Sequence, residues 1–360
     1  VAKNFRKLIM KLNRFENVDV LRGILIILIV SGHIHWTDYA RSYLYAFHLT
    51  AFFIITGFFV AQSAGKYSFK EILVKRIQKI LIPYWLAALI FFLWFNWQRI
   101  IEIGVLKSVY EYLKTMTFSS SYLLDFNGIA VYFWFLPLFF LFSVLLLLIY
   151  KYIPKYHIWI LICCILLSPL LLNWSFANPS TMLKLPWSVD KLILVLPLGI
   201  FGHIFMKNIH ILNNKKLIIF IIVLIISIPS GFLPFDLRTL SYKNIWSYYF
   251  FAINGFVMVY LISEFVYKKL GSENKLIKLL SFCGKNSLEV YLVHAFVIPE
   301  VLSITTIKNI DTQFSPTFNV VILVMTVAFS LVLVYLRENL SYLSKSINLK
   351  YGNSALKQNG

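Results

Sequence analysis

Asn17 to Trp36 reads NVDVLRGILIILIVSGHIHW, an apolar run long enough to cross a bilayer, with Asp19 and Arg22 at its start and His33 and His35 near its end. Charged or titratable groups in a spanning helix cost about 2.5–3.5 kcal/mol each on insertion scales, so they are seldom idle. Eleven positions separate Arg22 from His33. At about 100° per residue that returns to within about 20° of the same face, about 16 Å further along the axis. One helix is therefore expected to present a fixed cation near one membrane surface and an imidazole near the other.

Composition places the rest of the chain in the same class. Hydrophobic residues make up 59% and charged residues 14% of 360 residues, with a mean hydropathy of +0.77. A soluble domain carries about 25% charged residues. The expected fold is all-α and polytopic. About ten apolar segments of bilayer length recur, at 18–36, 43–62, 80–97, 131–150, 157–173, 189–206, 217–233, 247–267, 286–302 and 317–336.

The net charge of +19 does not point to nucleic acid, because no basic domain or arginine-rich arm accompanies it. With the N-terminus in the cytosol, about 25 of the 34 lysines and arginines fall on inner loops and about 9 outside. The positive-inside rule explains that asymmetry and puts both termini in the cytosol, Arg22 near the inner face and His33 near the outer one. A single domain is expected over 1–360, with a basic stretch at 1–16, a membrane core at about 17–336 and a polar tail at 337–360. The basic N-terminus followed by so long an apolar run reads as a retained signal anchor. Cys163 and Cys164 are adjacent in an apolar run and Cys283 falls in a lysine-rich stretch read as a loop, so no disulfide framework is expected. No Cys/His spacing resembles a metal site.

His33 is the first candidate for chemistry, because a neutral imidazole can take a proton from an alcohol; a silent interfacial histidine is the plainer reading. Arg22 needs an anionic partner or a watery cavity. Asp19, three residues earlier on the same face, is the structural partner, whereas a functional reading gives Arg22 a phosphate or a polarised carbonyl. Arg76 and Lys79, three apart before Pro83, share a face and could grip nucleotide phosphates, or simply anchor the helix. Glu289 and His294 in NSLEVYLVH should face the bundle rather than lipid, as structural groups first and chemical ones second. His48, at the outer end of the second segment, His35 beside Trp36, and Trp134 are the candidate acceptor contacts. His157, His203 and His210 look like loop or interface residues. The stretch 98–130, with its SSSY run at Ser119–Tyr122, is expected to be a long outer loop, either a lid or a connector. No internal repeat is apparent, and no inverted pair of interrupted helices.

Five blocks, taken in order, resemble acyltransferase family 3 membrane proteins. They are Arg22 with His33, FHLTAFFIITGFF from Phe47, KRIQKILIPYW from Lys75, FWFLPLFFLF from Phe133 and GKNSLEVYLVH from Gly284. The fucose 4-O-acetylase-like branch is the most similar in flavour. The resemblance implies a ten-helix inner-membrane enzyme that moves an acyl group, usually acetyl, from cytosolic acyl-CoA to a hydroxyl of a surface or exported glycan. Acyl-CoA would be a co-substrate, with no permanently bound cofactor.

The implied roles are His33 as base, directly or through an acyl-histidine, Arg22 as a required cation with Asp19 beside it, and Arg76 with Lys79 as the paired basic residues. Lys79 stands where the family often has a second arginine, and Thr50 where it has a proline, which implies a less bent backbone after His48. Some relatives carry a fused extracytoplasmic domain that completes transfer. With none expected here, either the chain acts alone or a separate transferase or polysaccharide-assembly protein finishes the step. A glycan or lipid-linked-intermediate flippase is the alternative from another class, and an inactive relative that scaffolds such enzymes is a third.

Overall fold

A computed structural model describes residues 2–34, 36–118, 132–177, 185–212, 215–307 and 316–357. Among them the chain is helical apart from short connections and one hairpin of two-residue strands. His35 and the Ser119–Tyr122 run lie outside the described residues. Each of the ten apolar segments falls largely on helix. Six helices are by themselves long and apolar enough to cross a membrane, and a seventh span is a pair bent by 46°. The protein is an all-α, multi-pass membrane protein.

Helix α1 (Ala2–Gly32) is followed by α2 (Asp38–Tyr45), α3 (Thr50–Phe58) and α4 (Val60–Lys66). Helix α5 (Phe69–Arg76) runs through a π turn at Ile77–Leu81 into α6 (Ile82–Phe95). Then come α7 (Trp97–Ile103), α8 (Val105–Phe118), α9 (Phe135–Tyr152), α10 (His157–Ala177) and α11 (Leu192–Lys207). Helix α12 (Lys216–Ser227) leads to strands β1 (Phe235–Asp236) and β2 (Ser241–Tyr242). The chain closes with α13 (Ile245–Leu270), α14 (Lys275–Lys285), α15 (Ser287–Ile307) and α16 (Pro316–Lys357). Of the spans, α13 is the most buried; α10 is the least, and α16 is also largely exposed.

Apolar attraction between helices is weak in lipid, so packing depends on how closely backbones approach. Here glycines set that approach. A Cβ on Gly23 would lie 2.0 Å from the Leu280 carbonyl oxygen, and one on Gly284 1.8 Å from that of Asp19, so α1 and α14 touch backbone to backbone. Gly57 against Gly199 and Gly202 against Ile54, each 1.9 Å from a carbonyl oxygen, do the same for α3 and α11.

Several expectations change. The second apolar segment is not one helix: the chain turns between α2 and α3, where His48 Nδ1 donates to the Leu44 carbonyl (2.6 Å) and Thr50 Oγ1 to that of Phe47 (3.0 Å). The break is thus made by side-chain hydrogen bonds that compete with the helical ladder, without the proline. The stretch read as a long outer loop is helical to Phe118, as α7 and α8, joined at Gly104 with φ +83°. Cys283 belongs to helix α14, not a loop, and burial pushes its thiol up to about 11.

Gly23→Ala is expected to destabilise the protein by at least the roughly 1–3 kcal/mol of an overpacked core, read as a lower melting temperature in detergent. Gly65→Ala in α4, whose Cβ would meet nothing within 4 Å, is expected to leave melting unchanged or to raise it.

Candidate active site

Three cavities follow one another along α1. The first surrounds His33 and measures about 400 Å³. Helix α1 ends at Gly32, and His33 lies in the turn just beyond it, not within the helix. The turn is tightened by His33 N–H to the Val30 carbonyl (3.1 Å) and Ile34 N–H to that of Ser31 (3.1 Å). The Trp36 indole donates to the same Ser31 oxygen at 2.8 Å, satisfying a carbonyl at the helix end that no helical N–H reaches.

His294 meets His33 from α15, with ring centroids 4.9 Å apart. It is fully buried, and its Nδ1 bonds the Tyr291 carbonyl. A carbonyl only accepts, so the proton is on Nδ1 and Nε2 is the lone-pair nitrogen. That Nε2 is buried with no hydrogen-bond partner among the described residues, an expensive arrangement unless a donor arrives. Tyr291 itself donates its hydroxyl to the Tyr132 carbonyl, and the Tyr132 ring lies 5.6 Å from His33.

His48 comes from the turn before α3. Its Nδ1 is occupied by Leu44, its ring packs tilted on Tyr45 with centroids 5.0 Å apart, and it borders the His33 cavity. Gly32 lies close beneath it: a Cβ there would be 3.2 Å from His48 Nε2 and would require the ring to shift. Trp134 and Trp36 add aromatic walls. Arg41 of α2, 5.2 Å over the Tyr45 ring, and Asp236 with Arg238 of the hairpin close the far side.

The second cavity, about 190 Å³, is bordered by Arg76, Lys79 and Tyr291. The third, about 310 Å³, is bordered by Arg22, Arg76, Thr56 and Ser63. The second and third share Phe52, Arg76, Phe139 and Ser287, and the first and second share Tyr291. The π turn follows Arg76 directly.

Most of the sequence candidates thus border one series of cavities with shared walls: His33, His48 and Trp134 at one end, Arg76 and Lys79 between, and Arg22 at the other. Asp19 sits 3.6 Å from Arg22 as its ion-pair partner. Glu289 bonds across helices, to Arg337 of α16 at 2.6 Å, where α15 and α16 pack side by side, and it does not border the cavities described above. His203 is no loop residue: it packs on Tyr150 at 4.7 Å within α11. His157 begins α10 and stacks 5.4 Å from the same tyrosine.

Residues that the sequence reading passed over are Tyr45, Tyr132, Tyr291, Arg41, Asp236 and Arg238. Arg41 and Arg238 had a signal, since they belong to the few basic residues on the side where the charge rule places few. Tyr291 lies one turn before His294.

The family model described as Acyltransferase domain, for acyltransferase family 3, matches residues 15–335. The chain belongs to acyltransferase family 3. The protein is therefore a membrane acyltransferase, and the match takes in every residue that borders the three cavities, and His294 as well. No curated protein and no solved structure matches it. A family 3 acyltransferase needs an acyl donor site and an acceptor site, and the cavities at the two ends of α1 differ in the way such sites would. The one at Arg22 holds the guanidinium groups of Arg22 and Arg76; the one at His33 holds two imidazoles and aromatic rings as well as the guanidinium groups of Arg41 and Arg238 beside the Asp236 carboxylate.

A double-mutant cycle separates the two roles left open for Arg22. Asp19→Asn, Arg22→Gln and the double variant are expected to show a coupling of about 0.5–1 kcal/mol in thermal stability. If the pair is structural alone, the double variant will also keep activity.

Proposed function

We propose that this family 3 acyltransferase is an O-acyltransferase of the cell membrane, moving an acyl group, usually acetyl, from cytosolic acyl-CoA to a hydroxyl of a surface or exported glycan. The observation that carries this reading is the series of cavities with shared walls, running from Arg22 and Arg76 past Lys79 to His33. A phosphorylated thioester is long, anionic at one end and reactive at the other. Arg76 and Arg22, with Lys79 beside them, suit its phosphates. The narrow, phenylalanine-lined middle suits its pantetheine arm, and His33 stands where the arm would end.

The reaction then needs little more than positioning and one base. The acceptor hydroxyl gives its proton to His33 as its oxygen attacks the thioester carbonyl. The carbon–sulfur bond breaks, the acyl group stays on the sugar oxygen, and the thiolate leaves toward the cytosolic cations. His294 is the positioning residue. Its Nε2 can accept an N–H from His33, which fixes the tautomer that leaves the other His33 nitrogen free to act as base. Trp36, Trp134 and Tyr45 offer ring faces on which a sugar can stack. His48, with its Nδ1 already engaged, offers Nε2 to a hydroxyl. His35, outside the described residues, stays among the acceptor candidates. With both termini cytosolic, α1 holds donor and acceptor on opposite sides, and Tyr291 is the residue an acyl chain must pass.

At equal membrane abundance, His33→Ala is expected to lower acylation of the host's surface glycan by about a hundred-fold or more. Undiminished acylation in a strain lacking paralogues overturns the assignment. Glycan movement without thioester consumption would point instead to a flippase. Arg76→Gln with Lys79→Gln should raise KM for acyl-CoA more than it lowers kcat, measured in membrane vesicles, because phosphate contacts far from the reacting carbon are the same in ground and transition states.

A further inference from the structure

Another cavity lies away from the site. It is a groove of about 620 Å³ between the first turns of α12 and the last turns of α13, at the lysine-rich end of the bundle. Its walls are Leu217, Phe220, Ile262 and Phe265, and its rim is Lys216, Lys268 and Lys269 around Glu264. Leu217 is 71% and Phe265 63% exposed. Helix α12 shows Ile218, Ile221, Ile222 and Ile225 on its open side as well. The groove therefore opens toward lipid, and acyl chains are what an apolar surface at that depth meets.

The rim decides which lipid. The rim carries three ammonium groups and one carboxylate. Lys216 and Lys268 both bond Glu264 Oε1, the latter at 2.8 Å, and Lys269 lies 5.7 Å over the Phe265 ring. The cations exceed the anion by two, at the boundary where a phosphate group would lie. Glu264 Oε2 is buried and has no hydrogen-bond partner among the described residues. A carboxylate oxygen can only accept, so the missing partner is a donor. A phosphate with a hydroxyl beside it supplies both needs at once.

We infer that the groove between α12 and α13 is a binding site for an anionic, hydroxyl-bearing phospholipid of the phosphatidylglycerol type. Its acyl chains lie on Leu217, Phe220 and Phe265, its phosphate lies among Lys216, Lys268 and Lys269, and a headgroup hydroxyl donates to Glu264 Oε2. The site has a structural link to the chemistry. The turn joining α12 and α13 at their other end is the hairpin that brings Asp236 and Arg238 to the His33 cavity, so the lipid braces the pair of helices that hold that wall.

The test is lipid retention by the full-length protein, purified in neutral detergent, delipidated, and mixed with equal amounts of phosphatidylglycerol and phosphatidylcholine of matched chains. Native mass spectrometry then reads which lipid stays bound. Wild type is expected to retain phosphatidylglycerol about ten-fold or more over phosphatidylcholine, as two uncompensated lysines at a membrane surface would give. Lys268→Gln with Lys269→Gln, both at solvent-facing positions, should bring the preference to within about two-fold. Lys275→Gln, on the same end but outside the groove, should leave it unchanged. Equal retention of the two lipids, an unchanged preference in the double variant, or displacement by inorganic phosphate overturns the proposal.

Discussion

The backbone contact between α1 and α14 is the constraint on which the rest of the structure depends. Helix α1 carries an arginine and leads into a histidine, and it touches α2, α3, α13, α14, α15 and α16. A helix so placed has little lipid contact, and that is what allows its polar groups to persist at membrane depth. Gly23 and Gly284 bring the α14 backbone to van der Waals distance at the lysine-rich end. The position of α15, and with it His294, follows, because α14 leads into α15 across Asn286 alone. The pairing of His33 with His294 is therefore set up by glycines far from either ring.

The same logic explains the unevenness of burial. Helices that border the cavities have few exposed large side chains, whereas α10, α12 and α16 turn leucines, isoleucines and valines outward. In water such surfaces would be a liability; in a bilayer they are the solvated face. Helices α7 and α8 are a related case. Trp97, Ile101, Leu106 and Tyr110 are exposed on two short helices that carry Arg99, Lys107 and Lys114, as suits a segment lying along the membrane surface.

Much of this was legible in the chain before any coordinates. Apolar segments of bilayer length located the helices because lipid imposes that length on every span. The expensive residues, Arg22 and His33 in the first segment and Arg76 just before the third, border the cavities, and His294 packs on His33, because such groups are costly where they face lipid. Other features were hidden for definable reasons. The break at Ala46–Leu49 comes from His48 and Thr50 taking backbone carbonyls, which an apolar count does not register. The partner of Glu289 sits on another helix, at Arg337, beyond any periodicity argument. Asp236 and Arg238 reach the site from the hairpin between α12 and α13, so only the tertiary arrangement brings them near His33. Tyr291 read as one more aromatic in an aromatic-rich chain.

The π turn at Ile77–Leu81 has a consequence for how this part of the chain can change. A π turn holds one more residue than an α turn, so it acts as an insertion absorbed without a loop. Every side chain after it is rotated by about 100° relative to an unbroken α-helix. Arg76 and Lys79 can therefore border the same cavity while Trp85, Leu86 and Ile90 still point to lipid on the continuing helix. The two ends of this span are in register with different surroundings. Substitutions here can be conservative, but a one-residue deletion would force the span to give up either its grip on the cavity or its fit to the membrane.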